Sequence, residues 1–101
     1  MNHPDYEGFL AEDARLVILK ALTQESNATL NETILTKVLD TFGHHRSRDW
    51  VRTQLGKLRE LGAIKVTEAG SVLIATLTQA GLDHVERRSV ISGIATPSLG
   101  A

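Results

Sequence analysis

A chain of 101 residues with a formal charge of −1, 42% hydrophobic and 23% charged, has the composition of one folded domain; it excludes a disordered chain and an indiscriminate coat for nucleic acid. With no cysteine, it also excludes disulfides, thiolate metal sites and cysteine nucleophiles. No apolar stretch approaches the roughly 20 residues that span a bilayer, and the start MNHPDYEGF lacks the basic and apolar regions of a signal peptide, so a cytoplasmic protein is expected.

In chain order, the nearly continuous apolar run Ala14, Leu16, Val17, Ile18, Leu19, Ala21 and Leu22 predicts a helix buried on most of its circumference. Tyr6, Phe9 and Leu10 belong to its first turns or to a short helix leading in, with Asp5 as the cap. The polar segment Thr23–Ala28 reads as a loop, and Thr29 and Leu30 as a very short strand. Asn31 is a favourable N-cap for a second helix reaching Phe42, with Glu32 placed at its positive end and Ile34, Leu35, Val38, Leu39 and Phe42 expected on the buried face. Gly43 supplies the positive φ that closes this helix, and His44, His45 and Arg46 form the turn.

Ser47 caps a third helix that runs to Leu61 and stops at Gly62. Val51, Leu55 and Leu58 make its apolar seam, widened by Trp50 and Leu61. Arg48, Arg52, Thr53, Gly56, Lys57 and Arg59 occupy the other faces. Two β-prone runs, Ile64–Ala69 and Val72–Leu77, flank Gly70 and Ser71 and predict a hairpin. Thr78 caps a last helix from Gln79 to about Arg88. The uncharged segment SVISGIATPSLGA then reads as a flexible or partner-docked tail, which divides the chain into a domain of residues 1–88 and a tail of residues 89–101.

This order of elements predicts an α+β winged helix-turn-helix: a three-helix core, a two-stranded β-hairpin wing and a C-terminal helix. Charge points the same way. Residues 44–65 carry six basic and two acidic side chains, whereas residues 1–43 carry three basic and seven acidic ones, so the positive end of the molecule coincides with the third helix. A helix braced in this manner can enter the major groove of double-stranded DNA with its N-terminal residues at base edges. Those residues are Ser47, Arg48, Asp49, Arg52 and Thr53. Arg48 and Arg52 lie four apart and can each bond guanine bidentately. Arg46, Lys57 and Lys65 are expected on phosphates, and Gly56 leaves room for close approach of a backbone or sugar.

Against this, a basic helix face is often only solvated surface, the wing segment Thr67–Ser71 holds Glu68 and no cation, and a chain that is not basic overall binds weakly as one copy. A homodimer would double the footprint. His44 and His45 suit phosphate contact or titration near neutrality better than metal binding, because adjacent loop histidines do not share one coordination sphere. Trp50 beside the apolar seam reads as core. With Tyr6, Phe9 and Phe42 as the other aromatics there is no stacking platform for single strands or RNA. No glycine-rich phosphate loop and no nucleophile with a base at readable spacing is present, so neither an enzyme nor a cofactor is expected.

The stretches SRDWVRTQLGKLRELGAIKV and LIATLTQAGLDHVE carry R-x-x-L-x-x-L-x-x-x-G and T-x-x-G-L-D-x-V patterns that resemble ArsR-like winged-helix regulators. More closely, Glu12 to Arg88, about three quarters of the chain, is similar to small winged-helix proteins encoded by Mu-like phages and prophages. The resemblance implies groove reading by Arg48, Asp49, Arg52 and Thr53, and a dimer built on the first and last helices through Leu16, Leu82 and Val85. The absence of cysteine departs from the metal-sensing members of that group. A DNA-binding transcriptional regulator is therefore the leading expectation. The alternative is a winged-helix protein-interaction module in a phage assembly or host-takeover complex.

Overall fold

The computed structural model describes residues 5–98 and contains four helices and one three-stranded antiparallel sheet. Helix α1 (Tyr6–Thr23) is a single uninterrupted helix that includes Tyr6, Phe9 and Leu10. It begins where the Asp5 carboxylate accepts the Gly8 N–H at 2.9 Å, which satisfies one of the donors that a helix start leaves free. Strand β1 (Thr29–Asn31) leads directly into α2 (Glu32–Thr41), and the Asn31 side chain caps that helix by accepting the Ile34 N–H at 2.8 Å. Helix α3 (Arg48–Glu60) starts on Ser47, whose hydroxyl accepts the Trp50 N–H at 3.1 Å, and closes at Gly62 with a φ of +80°. Strands β2 (Ile64–Ala69) and β3 (Val72–Leu77) form the hairpin, turning at Gly70. Helix α4 (Gln79–Val85) follows on the Thr78 cap and ends three residues before Arg88.

The sheet order is β1-β3-β2. Thr29 pairs with Thr76 across one edge of β3 and Ile64 with Leu77 across the other, so β3 is the central strand. Each of its residues is at least partly covered, where a strand open to solvent on one face would alternate strictly. The core joins the inner face of α1 (Ala14, Ile18, Leu19, Leu22) to Leu35 and Leu39 of α2, to Val51, Leu55 and Leu58 of α3, and to Ala63, Ile64 and Ala75 of the sheet. Trp50 and Leu61 pack on its margin.

Two of the five residues expected on the buried face of α2 point outward. Ile34 is 41% exposed and Phe42 66% exposed, because Glu32, Leu35 and Leu39 take the inner stripe and leave the flanking positions to solvent. Of the expected tail, residues 99–101 lie outside the described residues, and the described part packs on the domain. Ile94 is buried against the core, Ala95 donates its N–H to the Glu12 carbonyl at 3.1 Å, and Arg15 donates to the Gly93 carbonyl at 2.7 Å. His84 of α4 is the anchor: its Nδ1 accepts the Ile91 N–H at 2.9 Å and its Nε2 lies 2.9 Å from the Ala95 carbonyl. Residues 91–97 thus close over α1 and α4 as part of the domain, their uncharged composition matching the apolar ground they cover.

Candidate nucleic-acid interface

The residues expected to meet a ligand fall on α3, the turn before it and the hairpin beside it, and the structure separates them by what they touch. Along α3, steps of four, three and four put Asp49, Thr53, Gly56 and Glu60 on the stripe farthest from the core seam. Arg48, Arg52 and Arg59 form the edge that faces the hairpin, and Lys57 lies toward the opposite edge. The outer surface of α3 is therefore bordered by cations without being uniformly basic.

The arginine edge is organised by a residue that the sequence had marked only as a favourable helix-end charge. Glu32, at the first position of α2, is fully buried. Arg52 donates to it through Nε at 2.8 Å and Nη2 at 3.0 Å, a bidentate pair, and Arg48 approaches the same oxygen, Oε1, with its Nε at 2.9 Å. The carboxylate also accepts the Leu73 N–H at the start of β3. Arg52 then reaches the Ser71 carbonyl at 2.6 Å and Arg48 the Thr33 hydroxyl at 2.7 Å. One buried carboxylate thereby ties the starts of α2 and α3 to the hairpin turn. The hydrogen bonds from Arg52 hold its pKa below the ordinary carboxylate value against the opposing effect of burial, and Glu32 in turn raises that of Arg52. Nothing in local spacing announces this cluster, since Glu32 and Arg52 are 20 positions apart and Glu32 and Leu73 are 41 apart.

The remaining predicted residues divide in the same way. Arg46 lies over the Trp50 ring, 4.5 Å from its centroid, and pairs with Glu7 at 2.7 Å. Ser47 spends its hydroxyl on the helix cap, and Thr53 bonds back to the Asp49 carbonyl at 3.2 Å. Asp49 is exposed. Lys57 and Lys65 are exposed and make no ion pair or side-chain hydrogen bond among the described residues, and Arg59, which composition alone did not single out, shares that state. Between α3 and the hairpin, Arg52, Gly56, Arg59 and Glu68 border a recess of about 250 Å³. A Cβ built on Gly56 would meet nothing within 4 Å, so this part of the helix is open to close approach.

The histidine turn is structural. His44 is only 8% exposed and its Nε2 lies 2.7 Å from Asp13, while His45 pairs with Asp40, so His44 is too enclosed for the phosphate contact expected of it. Among the described residues no group of three histidine or acidic side chains could hold a metal ion. Of the positions assigned to a dimer, Leu16 is 6% exposed within the single chain and packs in the core. Leu82 and Val85 are partly exposed. Val85 borders a separate groove of about 600 Å³ along the outer side of α1, with Val17, Ala21, Val38 and Phe42.

The elements and this junction define a small α+β domain whose third helix is locked to a hairpin by an ion cluster around one buried carboxylate. Comparison with known proteins gives its family. The chain is 41% identical over 88 residues to the uncharacterized protein gp26 of Escherichia phage Mu, an alignment spanning 87% of this chain and 91% of that protein. It is 36% identical over 89 residues to an uncharacterized protein of Haemophilus influenzae strain Rd, spanning 87% of this chain and 85% of the relative. The chain belongs to the family of phage Mu gp26. No protein-family profile matches it, and no solved structure matches at a significant level.

Proposed function

We propose that the protein is a winged helix-turn-helix, ArsR-like in outline, that binds double-stranded DNA as a phage or prophage transcriptional regulator, with α3 directed to the major groove. The observation that carries this reading is the position of α3: braced from behind by α2, flanked by the hairpin, and bordered along its length by Arg48, Arg52, Lys57, Arg59 and Lys65. The order α1-β1-α2-α3-β2-β3 is the order a winged helix requires. Lys57, Arg59 and Lys65 make no ion pair among the described residues and can release counterions from a duplex. The acidic wing residue Glu68 argues for binding through α3 rather than through the wing tip. A second copy would supply the footprint that one weakly charged copy lacks.

Fluorescence anisotropy with random and phage-derived duplexes over a salt series tests the reading. Affinity that falls steeply as salt rises supports it, and no binding at low salt by folded protein ends it.

A second reading, a protein-interaction module, is favoured by the apolar groove along α1 with Phe42 at its edge, 66% exposed. It predicts a captured partner that survives Lys57→Ala and Lys65→Ala.

A further inference from the structure

Two guanidinium groups meet on one oxygen of Glu32, and this shared attachment determines which of their donors remain available. Arginine has five N–H donors in a planar fork. Arg52 uses Nε and both protons of Nη2, on Glu32 and on the Ser71 carbonyl. Arg48 donates one Nη2 proton to Thr33, and its Nε makes an ion-pair contact with Glu32 at 2.9 Å. Among the described residues neither Nη1 donates a hydrogen bond. Because the guanidinium of Arg52 is planar and its Nε–Nη2 edge is turned to the carboxylate, its Nη1 points away from it. The hydrogen-bonded cluster of two cations and one anion retains a surplus positive charge, and the side chains of Arg48 and Arg52 are 51% and 38% exposed. Asp49 and Glu68 lie within electrostatic reach of Arg52; both are exposed and hydrogen-bond neither guanidinium, and Arg59 beside the same recess offsets one of their two charges.

We propose that the junction of α2, α3 and the hairpin is a seat for a phosphodiester oxyanion, gripped by the Nη1 groups of Arg48 and Arg52 and held in place by Glu32. Bidentate reading of guanine uses a free two-nitrogen edge that can turn into the plane of the base pair. In Arg52 no such edge is free, since Nε and Nη2 are both committed. A single amino group held rigidly suits an oxyanion, which accepts donors from many directions and needs charge more than a fixed plane. Arg48 and Arg52 are in this view backbone-positioning residues, and base discrimination, where it occurs, belongs to the outer stripe of Asp49, Thr53 and Glu60. Glu32 is a positioning residue that acts through the arginines. The identification of the phosphate as one of duplex DNA rests on the DNA-binding reading above.

The test follows the Nε–Hε signals of Arg48 and Arg52 in spectra of the full ¹⁵N-labelled chain, assigned by the loss of one signal in each of Arg48→Lys and Arg52→Lys. The chain is titrated with inorganic phosphate against chloride at constant ionic strength, and separately with random and phage-derived duplexes. The expected result is a saturable shift of both signals with phosphate and with either duplex, exceeding that with chloride. Movement with phosphate while anisotropy detects no duplex binding leaves the seat standing, assigns its phosphate to another source and ends the DNA reading. If phosphate leaves both signals in place, the seat is overturned. Should a duplex of one sequence then move them, the arginines read bases and the DNA reading survives. Glu32→Gln supplies a readout of opposite sign for the positioning role: phosphate affinity is expected to fall severalfold although the formal positive charge rises. A gain in affinity in that variant, with the fold intact by circular dichroism, would show that Glu32 merely neutralises the site.

Discussion

Glu32 shows how a single side chain can join elements remote in sequence. A buried carboxylate is strongly unfavourable unless its lone pairs are filled by charged or backbone donors. Here Arg52, Arg48 and the Leu73 N–H fill them. Because the folded-state pKa of Glu32 lies below its ordinary value of 4.5, the group contributes stability in full above that value and loses it as pH falls toward the folded pKa. Urea melts between pH 7 and pH 3 are expected to show this loss in the natural chain and a flatter profile in Glu32→Gln. At neutral pH the same substitution should cost on the order of 1 to 3 kcal/mol, since it removes charged hydrogen-bond acceptors from a buried site. In the sequence Glu32 is a good first-turn acid after an Asn cap, and that local role is correct as far as it goes. Its larger role depends on α3 and β3 arriving at the same point, which no spacing within α2 reveals. Arg52→Ala is consequently an ambiguous probe of ligand binding, because it also strips a buried carboxylate of its bidentate partner. Lys57 and Lys65 are the cleaner choices.

Among the elements, two helical glycines carry opposite expectations. Gly81 in α4 sits against the backbone of Ala63, and a Cβ there would come within 2.3 Å of the Ala63 carbonyl oxygen. Gly81→Ala is therefore expected to lower stability by about 1 to 3 kcal/mol, the usual range for overpacking. Gly56 in α3 has open space where its Cβ would be, and Gly56→Ala should raise stability by roughly 0.5 to 1 kcal/mol through helix propensity alone. Thermal melts of the two variants check both signs. If the duplex backbone approaches α3 at Gly56, the stabilised variant should also bind duplex more weakly. The tail belongs to this scale as well. Ile94 is 3% exposed, so Ile94→Ala is expected to cost about 2 to 5 kcal/mol, and the Ile91 amide on His84 should be protected in hydrogen exchange. Unaltered stability in Ile94→Ala would mean that the segment contributes nothing to the fold. Low helix propensity and two glycines make residues 89–101 read as a flexible or partner-docked end, since a segment with no periodicity leaves no mark of the surface that its residues 91–97 cover.

For the whole molecule, the separation of charge along the chain becomes a question of what remains unpaired after folding. Lys57→Ala and Lys65→Ala are each expected to reduce the salt dependence of duplex binding by about one unit of log–log slope, with little change between sequences. Equal slopes in variants and natural chain would exclude both lysines from the interface. With Leu16 in the core, association of two copies would have to use Leu82, Val85 and other exposed groups, and sedimentation at tens of micromolar, a range where weak dimers with Kd near a micromolar are populated, tests it. Element boundaries and caps were legible in the sequence because they depend on neighbours within one turn or one hairpin: Asp5, Asn31, Ser47 and Thr78 cap the helices they were expected to cap, and Gly43, Gly62 and Gly70 take positive φ. Side-chain partners were not, because they depend on distance in space: Ile34 and Phe42 turned outward, His44 found Asp13, His84 found residues 91 and 95, and the two arginines closed on Glu32. The sequence by itself determined where the helices and strands begin, where most of them end, and where positive charge is concentrated. Only the tertiary structure decided which of those charges are already satisfied, since a carboxylate and a guanidinium far apart along the chain bind each other as soon as packing excludes the water between them.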